Sequence, residues 1–113
     1  MPEKGIKELQ EKGQMHLKSL EEIFQRNMEK ALSPEESQWA IDLILLIGNI
    51  FVSLYVHSFK GDDPDAYDTN EFLALAYLAR VAQLVVYSPL KPSEALVVKK
   101  SLRVLEKSLG LKE

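Results

Sequence analysis

Trp39-Ala40-Ile41-Asp42-Leu43-Ile44-Leu45-Leu46-Ile47-Gly48-Asn49-Ile50-Phe51-Val52-Ser53-Leu54-Tyr55-Val56-His57-Ser58-Phe59 is a run of 21 residues in which only Asp42, Gly48, Asn49, Ser53, His57 and Ser58 interrupt the apolar side chains. It is too long for a strand and has no strand alternation, so it reads as a helix that is apolar nearly all round. Its start is written just before it, in Leu32-Ser33-Pro34-Glu35-Glu36. Ser33 can cap, Pro34 suits the first helical position because it has no N–H to leave unpaired, and Glu36 can reach back to close a capping box. Lys60-Gly61 supplies the stop.

Outward from this helix the other elements follow. On the N-terminal side, Ile6, Leu9, Gly13, Leu17, Leu20, Phe24, Met28 and Ala31 recur at steps of three or four, the stripe of one straight amphipathic helix. Glu3 with Lys7, Glu8 with Lys12 and Glu22 with Arg26 stand four apart on its solvent side, each acid first. On the C-terminal side, an Asp- and Pro-rich turn from Gly61 to Tyr67 leads to Asp68 and Glu71, a second candidate capping box. Phe72 to Tyr87 is again almost wholly apolar, broken only by Arg80 and Gln83. Ser88-Pro89-Leu90-Lys91-Pro92 forbids helix through two prolines. Ala95, Val98, Leu102, Leu105 and Leu109 then line a last amphipathic helix, which Gly110 ends with Leu111 folding back.

The spacing therefore predicts an all-α chain, a four-helix and mostly antiparallel bundle with two central, strongly apolar helices, over about 4–31, 34–59, 69–87 and 92–109 of a single domain covering residues 1–113. That length holds one domain, and 46% hydrophobic with 27% charged residues excludes a disordered tail. A net charge of −3 speaks against a general polyanion binder, and the lack of cysteine excludes disulfides, thiol nucleophiles and thiolate metal sites. Met1 to Leu20 mixes charges with single apolar residues, unlike a signal peptide, so the expected location is cytoplasmic.

Two helices that are apolar on most sides ask for more cover than two amphipathic partners give. The sequence thus predicts a homo-oligomer, a dimer formed through Trp39, Leu43, Leu46, Ile50 and Leu54 of the second helix and Leu73 and Leu84 of the third. A different protein partner is the nearest alternative. A membrane hairpin is disfavoured although 21 residues could cross about 30 Å of hydrocarbon, because Asn49 sits at mid-span, Asp42 and His57 lie inside it and acidic residues flank both ends.

Asp42, Asn49, Ser53 and His57 fall on one line of the second helix. They form either its one wet strip or a polar seam inside an assembly, and an antiparallel register set by the Lys60–Asp68 turn would place Asn49 beside Arg80 of the third helix.

The sequence contains no catalytic motif, and the expectation is a protein that is not an enzyme and carries no cofactor. Neither His16 nor His57 has an acid at helical metal-pair spacing. The acidic stretch Asp62, Asp63, Asp65, Asp68, Glu71 lacks the central Gly and the twelfth-position carboxylate of an EF-hand. No carboxylate pair stands out as one the fold would bring together in a cleft. Lys99, Lys100, Arg103 and Lys107 make one basic face on the last helix, the best surface for an anion. The prolines before it and the missing wing strands leave nucleic acid a disfavoured partner.

Overall fold

The computed structural model describes residues 3–58 and 69–110, and the side chains of 5–54 and 70–110 within them. Four helices, α1 (Glu3–Asn27), α2 (Pro34–Ser58), α3 (Thr69–Leu84) and α4 (Pro92–Ser108), pack in chain order around one core, and α4 returns to α1 to close the ring. The bundle measures 44 × 25 × 25 Å, and there is no strand among the described residues. The expected all-α four-helix bundle is what forms.

The helix that begins at Pro34 starts as its sequence directs. The Glu36 backbone N–H donates to Ser33 Oγ at 3.1 Å, and the Ser33 N–H donates to Glu36 Oε1 at 3.1 Å. The Ser33 N–H holds the Glu36 carboxyl below its ordinary pKa, helped by Arg26 at 3.1 Å. Arg26 thus turns across the connection to Glu36 rather than along its own helix to Glu22, because the capping box fixes an acid in reach.

α1 ends at Asn27, four residues before the expected boundary, and the cause is Asn27 itself. Its side-chain amide donates to Lys30 O at 2.8 Å, while Met28 and Glu29 tighten into three-residue turns onto Gln25 O and Arg26 O. Asn27 is fully buried, and its main-chain carbonyl accepts the Leu90 N–H at 3.2 Å. The Leu32 N–H donates to Val85 O at 3.0 Å, so the α1–α2 and α3–α4 connections are cross-tied at one end of the bundle. This tie stops α3 at Leu84 rather than at the expected residue 87. α4 opens with Pro92 after Lys91, whose N–H donates to Glu94 Oε1 at 3.0 Å, and ends at Ser108 with Gly110 in the left-handed region at φ 79°.

The predicted stripes are the buried ones. Leu17, Leu20 and Phe24 of α1 and Val98, Leu102 and Leu105 of α4 are in the core with Leu43, Ile47, Ile50 and Leu54 of α2 and Leu75, Leu78 and Val81 of α3, joined by Val85 and Leu109 just past the ends of α3 and α4. Gly13 leaves room on α1 for Leu109, since a Cβ there would lie 2.8 Å from Leu109 Cδ2 and 3.5 Å from Ile50 Cγ2. Gln14 Nε2 donates to Leu109 O at 2.7 Å, satisfying a carbonyl at the end of α4. Glu71 is buried and accepts a hydrogen bond from the Ser108 hydroxyl. The Lys60-Gly61 stop, the 61–67 turn with Asp62, Asp63 and Asp65, and the Asp68 cap all lie outside the described residues, as do the Glu3 and His57 side chains and the Leu111 contact.

Candidate functional site

The helices present three surfaces with distinct chemistry. The first is the outer face of α2 and α3. On α2, Trp39 and Leu46 stand seven apart, as do Leu45 and Val52, and the two rows flank a third, Asp42 and Asn49. All six are exposed: Trp39 by 49%, Leu46 by 41%, Leu45 by 62% and Val52 by 47%, so large apolar side chains here lie open to solvent. α3 adds Leu73 at 65% and Leu84 at 48%, with exposed Arg80 between them.

Of the residues expected to mediate association, Trp39, Leu46, Leu73 and Leu84 are exposed, and Leu46 stands at the edge of this face where it also lines a groove against α1. Leu43, Ile50 and Leu54 are not. They are turned into the core beside Ile47, because the line 43, 47, 50, 54 is the one that meets the other helices. Leu45 and Val52 take their place, and an apolar helix with no clear polar face hides which of its lines is outward.

The polar line of α2 lies on the outside of the chain, with Asp42 and Asn49 exposed and Ser53 half-buried. Gln38 Nε2 donates to Asp42 Oδ1 at 3.0 Å. The expected pairing of Asn49 with Arg80 does not form. Ser37 Oγ donates to Ala82 O at 2.6 Å, and Gly48 lies against Leu75, which puts Arg80 level with Asp42 and about two helical turns from Asn49. The register follows contacts along the helices rather than the midpoint of the 60–68 connection. Asn49 instead borders a groove of about 450 Å³ between α1 and α2, with Leu9, Lys12, Met15 and His16 on the opposite wall.

The third surface is a cleft of about 270 Å³ between α1 and α4. Its apolar wall is Phe24, Met28 and Leu102, and Glu21 of α1 meets Glu106 of α4 within it. Burial and the hydrogen bond to Glu106, with the repulsion between the carboxylates, push the Glu21 carboxyl up to about 8, against the weaker pull of Lys18. The fold therefore brings together the carboxylate pair that the sequence alone did not disclose. A signal was present: Glu21 adjoins Leu20 and Glu106 adjoins Leu105, so each acid flanks a buried stripe of a helix that meets the other.

Lys99, Lys100, Arg103 and Lys107 are all exposed on α4. Lys99 and Arg103 line the same cleft as the two glutamates, so half of the basic face adjoins carboxylates of its own chain. Among the described residues no group of three or more acidic or histidine side chains is placed to hold a metal ion. Also among them, α2 over Pro34–Leu54 is the one helix long and apolar enough to cross a membrane. Comparison with protein-family models, with curated proteins and with solved structures gives no match for this chain.

Proposed function

We propose that this protein works by association, pairing with a second copy of itself through the outer face of α2 and α3. The observation that carries the reading is the exposure of Trp39, Leu45, Leu46 and Val52 on α2 beside Leu73 and Leu84 on α3. Scattered apolar residues are ordinary on a soluble surface, but these fall on one side of two adjacent helices, the arrangement of an interaction site. Asp42, Asn49 and Arg80 on the same face favour a protein surface over hydrocarbon as its cover, since each would be costly in lipid.

Sedimentation equilibrium in detergent-free buffer tests this. The expected mass is that of two 12.8 kDa chains, and the paired change Leu45→Glu with Leu73→Glu is expected to give one chain with unchanged helicity. A wild-type protein that stays a single chain at every concentration, or that dissolves only with detergent, overturns the proposal.

A further inference from the structure

Beyond Glu35 at the start of α2, the outer face carries two exposed charges of opposite sign, Asp42 and Arg80. Asp42 receives the Gln38 amide and no cation, and Arg80 makes no hydrogen bond or ion pair among the described residues. The contacts of Ser37 with Ala82 and of Gly48 with Leu75 bracket these positions and set Asp42 and Arg80 at one level of neighbouring helices. The same register sets Leu73 level with Val52 and Leu84 within about a turn of Trp39.

A self-pairing surface must satisfy itself under a two-fold rotation, and the direction of the axis decides which groups meet. An axis across the helices would stack α2 on α2 and α3 on α3, so that Asp42 never meets the partner's Arg80, and where it crosses at this level it would set Asp42 on Asp42 and Arg80 on Arg80. Like charges in a closing interface oppose association. An axis parallel to the bundle, running between α2 and α3, lays α2 of one copy along α3 of the other. It preserves level, so every position on α2 meets its own neighbour's counterpart in the partner.

We propose that the dimer is two-fold symmetric about an axis parallel to the bundle, with Asp42 of each chain against the partner's Arg80. Two such pairs form per dimer, with Trp39 covered near the partner's Leu84 and Val52 near the partner's Leu73. The charges fix register and partner, while the apolar side chains supply most of the affinity. This inference rests on the association reading above and adds the geometry of the pairing.

Charge exchange tests it with the full chain. Asp42→Arg alone and Arg80→Asp alone are each expected to weaken dimerisation on the order of 10-fold or more. Mixing the two single variants is expected to restore it as a heterodimer, because one chain then presents two arginines and the other two aspartates. Both changes in one chain restore the homodimer for the same reason. All substituted positions are exposed, and circular dichroism is expected to report unchanged helicity. A wild-type monomer overturns the association reading and this one with it. A wild-type dimer whose single variants dimerise as tightly overturns only the proposed axis. So does rescue by the double variant without rescue by mixing, since that pattern belongs to a pair within one chain.

Discussion

The α1–α4 seam and the α2–α3 outer face are built from the same kinds of residue and handle them in opposite ways. At the seam, Gly13 lets Leu109 in, Gln14 satisfies the Leu109 carbonyl just past α4, and Glu21 and Glu106 are drawn together in a cleft. On the outer face, Leu45 and Leu73 stand in solvent although nothing prevents a helix surface from carrying lysine or glutamate there. The seam spends polar groups on closing one chain. The outer face keeps apolar area that a single chain has no use for. Elements of one fold can thus differ in whether their sequence is explained by the monomer, and the proposed association rests on that difference.

The strongest way to sharpen the contrast is to truncate one large side chain in each region. Phe24 is fully buried on the wall of the α1–α4 cleft, and Phe24→Ala is expected to cost about 3–5 kcal/mol in denaturant unfolding, a large share of a small domain's stability. Leu45→Ala on the outer face removes a side chain that is 62% exposed in one chain. Measured at a concentration where the chain is monomeric, it is expected to cost less than about 1 kcal/mol. Equal losses would mean that the two regions are equally packed within the chain and would erase the distinction.

The seam also has a chemical signature that the outer face lacks. The Glu21 carboxyl titrates near 8 in the fold and at an ordinary 4.5 when free. Across that interval the folded chain holds a proton that the unfolded chain has released, so stability from the protonated pair is complete below about 4.5 and is lost as the pH rises through 8. Thermal melting is expected to fall between about pH 5 and pH 9 in the wild type. Glu21→Gln keeps a hydrogen-bond donor toward Glu106 without the charge, and it is expected to flatten this slope and to raise the melting temperature at the alkaline end. The depressed carboxyl of Glu36 works in the other direction and below the ordinary carboxylate range, so it does not mask the result. An unchanged slope in the Gln variant would place the proton elsewhere.

The sequence discloses these regions unequally, and the reason is periodicity. α1 and α4 alternate apolar and charged positions strongly, so Leu17, Leu20, Phe24, Val98, Leu102 and Leu105 are legible as the core before any coordinates. α2 has no such contrast, and Leu43 and Leu46 look equally suited to the outside although one is core and the other is surface. Local caps are legible because a few neighbouring residues decide them, as with Ser33, Pro34 and Glu36. Groups far apart in sequence are not, which hides the meeting of Glu21 with Glu106 and the tie from Asn27 to Leu90. Register between α2 and α3 is likewise decided by contacts such as Ser37 with Ala82, so an extrapolation from the connecting turn misplaces Arg80.

A small effect is expected at the cap that joins the two regions. Ser33 accepts the Glu36 N–H at the start of α2, and Glu36 binds the Ser33 N–H and Arg26 of α1. Ser33→Ala removes one acceptor from an exposed helix terminus, and the loss is expected to be about 1 kcal/mol in denaturant unfolding, with the Glu36 and Arg26 contacts left in place. Because the cap lies at the cross-tied end of the bundle, away from Asp42 and Val52, the dimer's Kd is expected to stay within a factor of about two. A change in association as large as the one expected for Asp42→Arg would mean that the outer face depends on how α2 begins. The two regions would then be coupled through that helix rather than built independently, and the contrast between them would have to be redrawn along α2 instead of across the bundle.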